Sequence, residues 1–178
     1  GHYLYKVDGT SFFQVNTDIS ELIVADILKY VRANDIFYDL YCGVGYFNLR
    51  LAKLCKQVIG IELNQKAIYN AIYNASLNDI DHVSFHVGKV EELIDKIPIK
   101  ANKVVVDPPR SGLHKKVRDT LLAHDFDAIL YISCNPKTLV RDLKELTQQY
   151  SIEKLTAYDM FPYTKHIETV TILKKRVK

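Results

Sequence analysis

Two rhythms of apolar residues alternate along most of this chain. Short runs at 36–41, 57–63, 83–87, 103–107 and 128–133 have the length and β-branched content of buried strands. Between them the apolar positions recur every three or four residues. That spacing predicts helices from the Gly43/Gly45 loop to Leu54, over 65–78, over 90–97, over 114–123, and from Pro136 to about Gln149. Pro108-Pro109 closes the fourth run, because proline cannot continue a strand ladder, and Pro136 suits the first turn of a helix. Upstream, aromatic-rich arms at 3–7 and 10–14 flank Asp8-Gly9, a tight-turn pair, and predict a β-hairpin within residues 1–16. Thr17-Asp18, with Glu21 three residues after Asp18, has the form of a capping box. It opens a helix whose apolar stripe fades near Ala33-Asn34. Downstream, runs at 155–161 and 167–173 are separated by only Pro162-Tyr163-Thr164-Lys165. A parallel crossover needs a dozen or more residues, so these two pair antiparallel. The whole reads as α/β: a Rossmann-like, doubly wound and mostly parallel sheet, preceded by one hairpin and ending in another.

Composition narrows the class without choosing a function. The chain has 178 residues, enough for one domain, and 48% of them are hydrophobic against 25% charged, which excludes disorder. A formal charge of +3 permits a polyanionic partner but does not demand one. No apolar run is long enough to span a membrane, and the N-terminus lacks a signal-peptide pattern. Three cysteines, Cys42, Cys55 and Cys134, form no Cys-x-x-Cys pair. Reduced thiols, a cytoplasmic location and no metal are expected. The chain begins in strand-like sequence without an initiator Met. The expectation is one domain from a longer protein, monomeric, with an RNA-binding part missing from its N-terminal side.

The chemistry-bearing residues fall at strand ends, where open α/β sheets bind ligands. Asp39 to Gly45 follows the first strand, and its two glycines allow a tight turn close to a ligand. Glu62 ends the second strand, 19 residues after Gly43, where a carboxylate can accept from both ribose hydroxyls. The third small residue of a dinucleotide fingerprint is absent, since Leu49-Arg50 stands there, so an adenosyl ligand without a pyrophosphate fits better. Asp107-Pro108-Pro109-Arg110 ends the fourth strand with a rigid exit. Cys134 leaves the fifth strand just before a helix N-terminus, which favours an anion, and Glu168 lies in the last strand, beside it.

Five stretches together resemble the RNA uracil-5-methyltransferase family. They are SFFQVN (from Ser11), DLYCGVGYF (from Asp39), DPPRSGL (from Asp107), SCNPKTLVRDL (from Ser133) and DMFPYTKHIETV (from Asp159). The resemblance implies a class I methyltransferase that uses S-adenosylmethionine, with cofactor contacts at Gln14, Tyr41, Gly43, Glu62 and Asp107. It implies Cys134 as nucleophile and Glu168 as general base. The segment Phe13-Gln14-Val15-Asn16 is more similar to the ribosomal RNA branch than to the transfer RNA branch. Departures are Tyr46 and Asn48 in the glycine loop, and Lys89 where many methyltransferases place an acid near the adenine. Relatives often carry an oligonucleotide-binding barrel upstream, and some a cysteine-ligated iron–sulfur cluster. Three cysteines do not make the usual four-thiolate set.

Those residue types suit the chemistry. Carbon 5 of uracil is a weak nucleophile until a thiolate adds to carbon 6; a base must later remove the carbon 5 proton to expel the thiol. His166 is a rival base, Arg110 and Lys137 are candidate phosphate contacts, and Phe12, Phe13, Phe161 and Tyr163 are candidate stacking faces. Two other readings stand beside this one. An adenine amino-methyltransferase is disfavoured because Arg110 replaces the aromatic that follows Pro-Pro in such enzymes. The other is a cofactor- or RNA-binding module without catalysis of its own.

Overall fold

The computed structural model of the chain describes residues 3–7, 16–160, 164 and 167–176. Seven strands form one sheet in the order β3-β2-β1-β4-β5-β7-β6. Strands β1 (Ile36–Leu40), β2 (Gln57–Glu62), β3 (Val83–Val87), β4 (Lys103–Val106) and β5 (Ala128–Ser133) are parallel. The last two, β6 (Tyr150–Tyr158) and β7 (Glu168–Lys175), pair antiparallel, and β7 also pairs antiparallel with β5. The second strand of the C-terminal hairpin therefore inserts inside the first instead of extending the edge.

The period-2 pleat sends successive strand residues to two separate cores. Phe37, Val105, Leu130 and Ile132 face one layer, with Ile23 and Ile27 of α1 (Thr17–Leu28), Leu49 and Leu51 of α2 (Tyr46–Ala52), and Ala75 of α3 (Gln65–Leu77). Tyr38, Val104, Ile129 and Tyr131 face the other. That layer holds α4 (Val90–Leu93), α5 (Lys115–Ala123) and α6 (Pro136–Leu146). The strands of β1, β4 and β5 are thus walled on both faces, as continuous apolar runs require.

Several local expectations change. The cap of α1 is Asn16, whose side chain accepts from the Ile19 amide, one residue before the predicted Thr17-Asp18. The helix stops at Leu28, and Val31 fills the core from the turn beyond it. Strand β6 starts at Tyr150, five residues before 155, and is interrupted between Ile152 and Lys154. Of the expected N-terminal hairpin, the arm at 3–7 is not a strand, and its turn and second arm lie outside the described residues. Tyr3–Val7 is instead a strap on α3: Leu4 and Lys6 exchange backbone hydrogen bonds with the side chains of Asn78 and Asn74.

Candidate active site

Because β1 to β5 are parallel, their carboxyl ends share one edge of the sheet. Antiparallel β7 brings its first residue to that same edge. The pairing of Ser133 with Thr169 is reinforced by the Thr169 hydroxyl, which donates to the Ser133 carbonyl at 3.0 Å. One further step of that register sets Cys134 across from Glu168. The expected thiol–carboxylate neighbourhood is therefore a direct product of strand pairing.

The first half of the edge is a cavity of about 560 Å³ walled by Tyr41, Glu62, Gly88, Val90, Glu91 and Gly112, among others. Tyr41, the first residue of the loop after β1, is on its wall. Gly43 and Gly45 take φ of +52° and +87°, and Tyr41, a non-glycine residue, takes +67°. Such a backbone costs on the order of 1 kcal/mol at a side-chain-bearing residue. It is held by the Ile61 carbonyl, which accepts from the amides of both Tyr41 (2.9 Å) and Cys42 (3.2 Å). Glu62 braces the same loop, accepting from the Gly43 amide at 3.2 Å and the Asn64 amide at 2.8 Å. Lys89 is on the cavity wall and pairs with Glu92 at 3.2 Å.

The opposite wall, residues 110–113, is clamped by α6. The Asn135 side-chain Nδ2 donates to the Arg110 carbonyl at 3.0 Å and the Arg141 guanidinium to the Ser111 carbonyl at 3.0 Å. At the centre is Asp142, fully buried, which accepts from the Leu113 amide, the Tyr131 hydroxyl, Arg118 and Arg141. Gly112 fits only because it has no side chain: at φ +73° a Cβ would come within 2.7 Å of both Arg141 Nη2 and Asp142 Oδ2. Asp142 was legible as an anomaly, a charge on the helix face shared by Leu139, Leu143 and Leu146.

Asp107 stands between the cavity and the Cys134–Glu168 pair in strand order, and its field reaches both sides. Burial pushes its carboxyl up to about 7. Glu168, 8% exposed, is pushed up to about 8, first by burial and then by the Asp107 carboxylate, with the Arg110 guanidinium pulling the other way. The Cys134 thiol is raised by burial, then by Glu168 and Asp107, again against Arg110. This corrects the expectation that the helix N-terminus would favour the thiolate. Asn135 already caps α6 by accepting from the Lys137 amide at 3.1 Å, and two nearby carboxylates oppose a second anion. Beneath the glycine loop, Asp39 is wholly buried, with the Asn48 backbone amide beside its carboxyl but no close hydrogen bond on either oxygen. Burial, then Asp107, holds it well above the usual carboxylate range. Among the described residues, carboxyls thus outnumber cations here, and Arg110 is the cation that weighs on the Cys134–Glu168 pair.

Of the residues singled out in the sequence, Tyr41 and Glu62 line the cavity, Gly43 is bonded to Glu62 behind it, and Asp107, Cys134 and Glu168 meet beside it. Gln14, Phe12, Phe13, Phe161, Tyr163 and His166 lie outside the described residues. Cys42 and Cys55 are buried, whereas Cys134 is half-exposed. Among the described residues, no group of three or more His, Cys, Asp or Glu side chains is arranged to hold a metal.

Residues 1–176 match the family described as tRNA (Uracil-5-)-methyltransferase. The chain belongs to that family. It is 40% identical over 176 residues to an uncharacterized RNA methyltransferase of Clostridium tetani, covering 97% of this chain and 38% of the relative. An Aquifex aeolicus RNA methyltransferase, also uncharacterized, is 42% identical over 175 residues, with coverage of 97% and 41%. The chain therefore spans about two-fifths of the length of these family members. Its fold superposes on a crystal structure of Pyrococcus abyssi tRNA (uracil-54, C5)-methyltransferase in complex with S-adenosyl-L-homocysteine. The TM-score is 0.82 at 38% identity, covering 95% of this chain and 41% of that one. The M. jannaschii tRNA m1G37 methyltransferase shares the fold alone, with a TM-score of 0.72 at 19% identity.

Proposed function

We propose that this chain is the catalytic domain of an enzyme that methylates carbon 5 of a uridine in RNA, using S-adenosylmethionine and a covalent cysteine adduct. The observation that carries the reading is the juxtaposition of Cys134, Glu168 and Asp107 at one sheet edge, next to a cavity walled by Tyr41 and Glu62.

The residues fit the methyl donor on charge as well as shape. Asp39, Asp107 and Glu168 form an acidic surround, and such a surround favours a cation. Glu62 would hold the ribose, Gly43 and Tyr41 the adenosyl portion, Asp107 the end nearest the reaction, and Gln14 completes the set. When bound, S-adenosylmethionine supplies an electrophilic methyl group on a sulfonium. The chain does the rest. The Cys134 thiolate adds to carbon 6 of the uracil, so the electron pair of the 5,6 double bond becomes available at carbon 5. Once carbon 5 carries the methyl group, the Glu168 carboxylate takes its remaining proton. The double bond reforms and the carbon–sulfur bond to Cys134 breaks, leaving 5-methyluridine and a free thiol. Arg110 is placed to offset negative charge as it moves through this cluster.

The target uridine must be unpaired or flipped to reach the thiol. Ribosomal RNA, in particular the 23S species, is the favoured substrate, on the resemblance at Phe13-Gln14-Val15-Asn16. The test uses 5-fluorouridine RNA, whose carbon 5 carries no removable proton. The protein should form a stable covalent complex linked at Cys134, and Cys134→Ala should form none while binding S-adenosylhomocysteine normally. Undiminished methyl transfer by Cys134→Ala, or 6-methyladenosine as product, sinks the proposal. Labelling of transfer RNA but not ribosomal RNA by radioactive donor refutes the choice of substrate alone.

A further inference from the structure

The strap and the cofactor loop are joined through one side chain. Four residues of α-helix rise about 6 Å, and two residues of extended chain advance about 6.6 Å. Side chains one turn apart on α3 can therefore meet alternate residues of a strap lying along it, and two asparagines do. Asn78 accepts from the Leu4 amide at 3.0 Å and donates to the Leu4 carbonyl at 2.8 Å. Asn74 treats Lys6 the same way, at 2.7 and 3.1 Å. Asn78 also donates to the Asn74 carbonyl at 2.7 Å, which stays within the helix, whereas Asn74 reaches the loop. The Asn74 Nδ2 also donates, at 3.1 Å, to the carbonyl of Val44, the residue between Gly43 and Gly45. Asn74 has no exposed surface, and its oxygen and both amide hydrogens are all committed.

The loop leans on α3 at a second point, since a Cβ on Gly45 would touch Ala71 at 3.4 Å. The strap is also pinned from the other side. Arg50 of α2 lies over the Tyr3 ring at 4.9 Å and over the Tyr46 ring, which immediately follows the loop, at 3.9 Å. We propose that Asn74 is a positioning residue: it transmits the seating of the strap to the glycine loop and so sets affinity for the adenosyl ligand. Two bonds to Lys6 fix the plane of the carboxamide, and that plane aims its second N–H at Val44. Without the strap the amide is free to turn, and a loop with two glycines at positive φ has other conformations open to it. Asn78 has the same chemistry and the same strap but no loop contact, which makes it the internal control.

This inference rests on the cofactor reading above, and the experiment separates the two. The full chain is titrated with S-adenosylhomocysteine as wild type, Asn74→Ala, Asn78→Ala, Lys6→Pro and Lys6→Ala. Asn74→Ala should weaken binding at least tenfold and Asn78→Ala less than threefold. In Asn74→Ala the KM for S-adenosylmethionine should rise while kcat at saturation stays within threefold. Lys6→Pro removes the N–H that donates to Asn74 and should weaken binding at least fivefold, whereas Lys6→Ala, which loses the same ammonium contact with the Tyr73 ring of α3 but keeps the N–H, should leave it unchanged. Lys6→Pro also decides the matter should Asn74→Ala not fold. Equal effects of the two asparagine variants, or unaltered affinity in Lys6→Pro, overturn the coupling. A wild-type chain that binds no S-adenosylhomocysteine overturns the cofactor reading instead.

Discussion

Glu168→Gln should stabilise the protein progressively as pH rises, while abolishing methyl transfer. An exposed glutamate titrates at 4.5, and this one is held at about 8. Between those values the folded chain keeps a proton that the unfolded chain has released. Stability therefore falls as pH rises from about 4.5, and the loss is complete above about 8. At about 1.4 kcal/mol for each tenfold change, the full loss is roughly 5 kcal/mol, of which about 1 kcal/mol is already spent at pH 5. Glutamine is nearly isosteric and does not titrate. The stability of Glu168→Gln relative to wild type should thus grow by about 4 kcal/mol between pH 5 and pH 9. In a chain of 178 residues one kcal/mol moves Tm by roughly 2–4 °C, so the two melting curves should separate by about 10 °C over that range. Differential scanning fluorimetry without cofactor, read at each pH, is sufficient. A Tm difference that stays constant with pH, or one that falls, refutes the buried, uncompensated carboxyl, and with it the idea that this site gives up stability for a base.

Three further outcomes follow from the same cluster. Affinity for S-adenosylmethionine should rise roughly tenfold from pH 6 to pH 8.5, because a sulfonium favours the ionised forms of Asp107 and Glu168. S-Adenosylhomocysteine, neutral at sulfur, should show a shallower slope by calorimetry, and equal slopes would count against an acidic surround. Iodoacetamide should label one thiol per chain, at Cys134, since Cys42 and Cys55 are buried. The labelling rate should climb with a midpoint above that of free cysteine; labelling of Cys42 first, by peptide mass mapping, would contradict the exposure. Gly112→Ala should cost about 2–4 kcal/mol in urea unfolding, from positive-φ strain and the clash at Asp142 and Arg141. A cost below about 1 kcal/mol would mean that α6 does not clamp this wall.

The inner strands were readable because burial on both faces leaves a continuous apolar run, and β5 falls at 128–133 as expected. Strand β6 was not. It is the sheet's outer strand, its residues alternate between exposed and half-buried, and an irregularity breaks its rhythm after Ile152. The position of β7 inside β6 has no local signature either, since an antiparallel hairpin reads the same whichever arm is outermost. At the site, Asp107, Cys134 and Glu168 were found from residue type and strand-end position. Their protonation was not, because it depends on three-dimensional neighbours that spacing cannot supply. Asn74 and Asn78 read as ordinary polar positions on a helix, and only the strap gives them meaning.

The inserted strand carries a consequence for how the enzyme comes into being. Leu130 of β5 pairs with Ile172 of β7, more than forty residues later in the chain, after α6 and β6 have both been made. Contacts of that separation form late. Until β7 enters the gap, β5 lacks its outer neighbour and Cys134 stands without Glu168 or the carboxyl field around it. The Cys134–Glu168 pair thus exists only once β7 has paired with β5. A chain cut before β7 would leave β6 without a strand to pair with and β5 as a bare edge, its Cys134 without the carboxylate opposite.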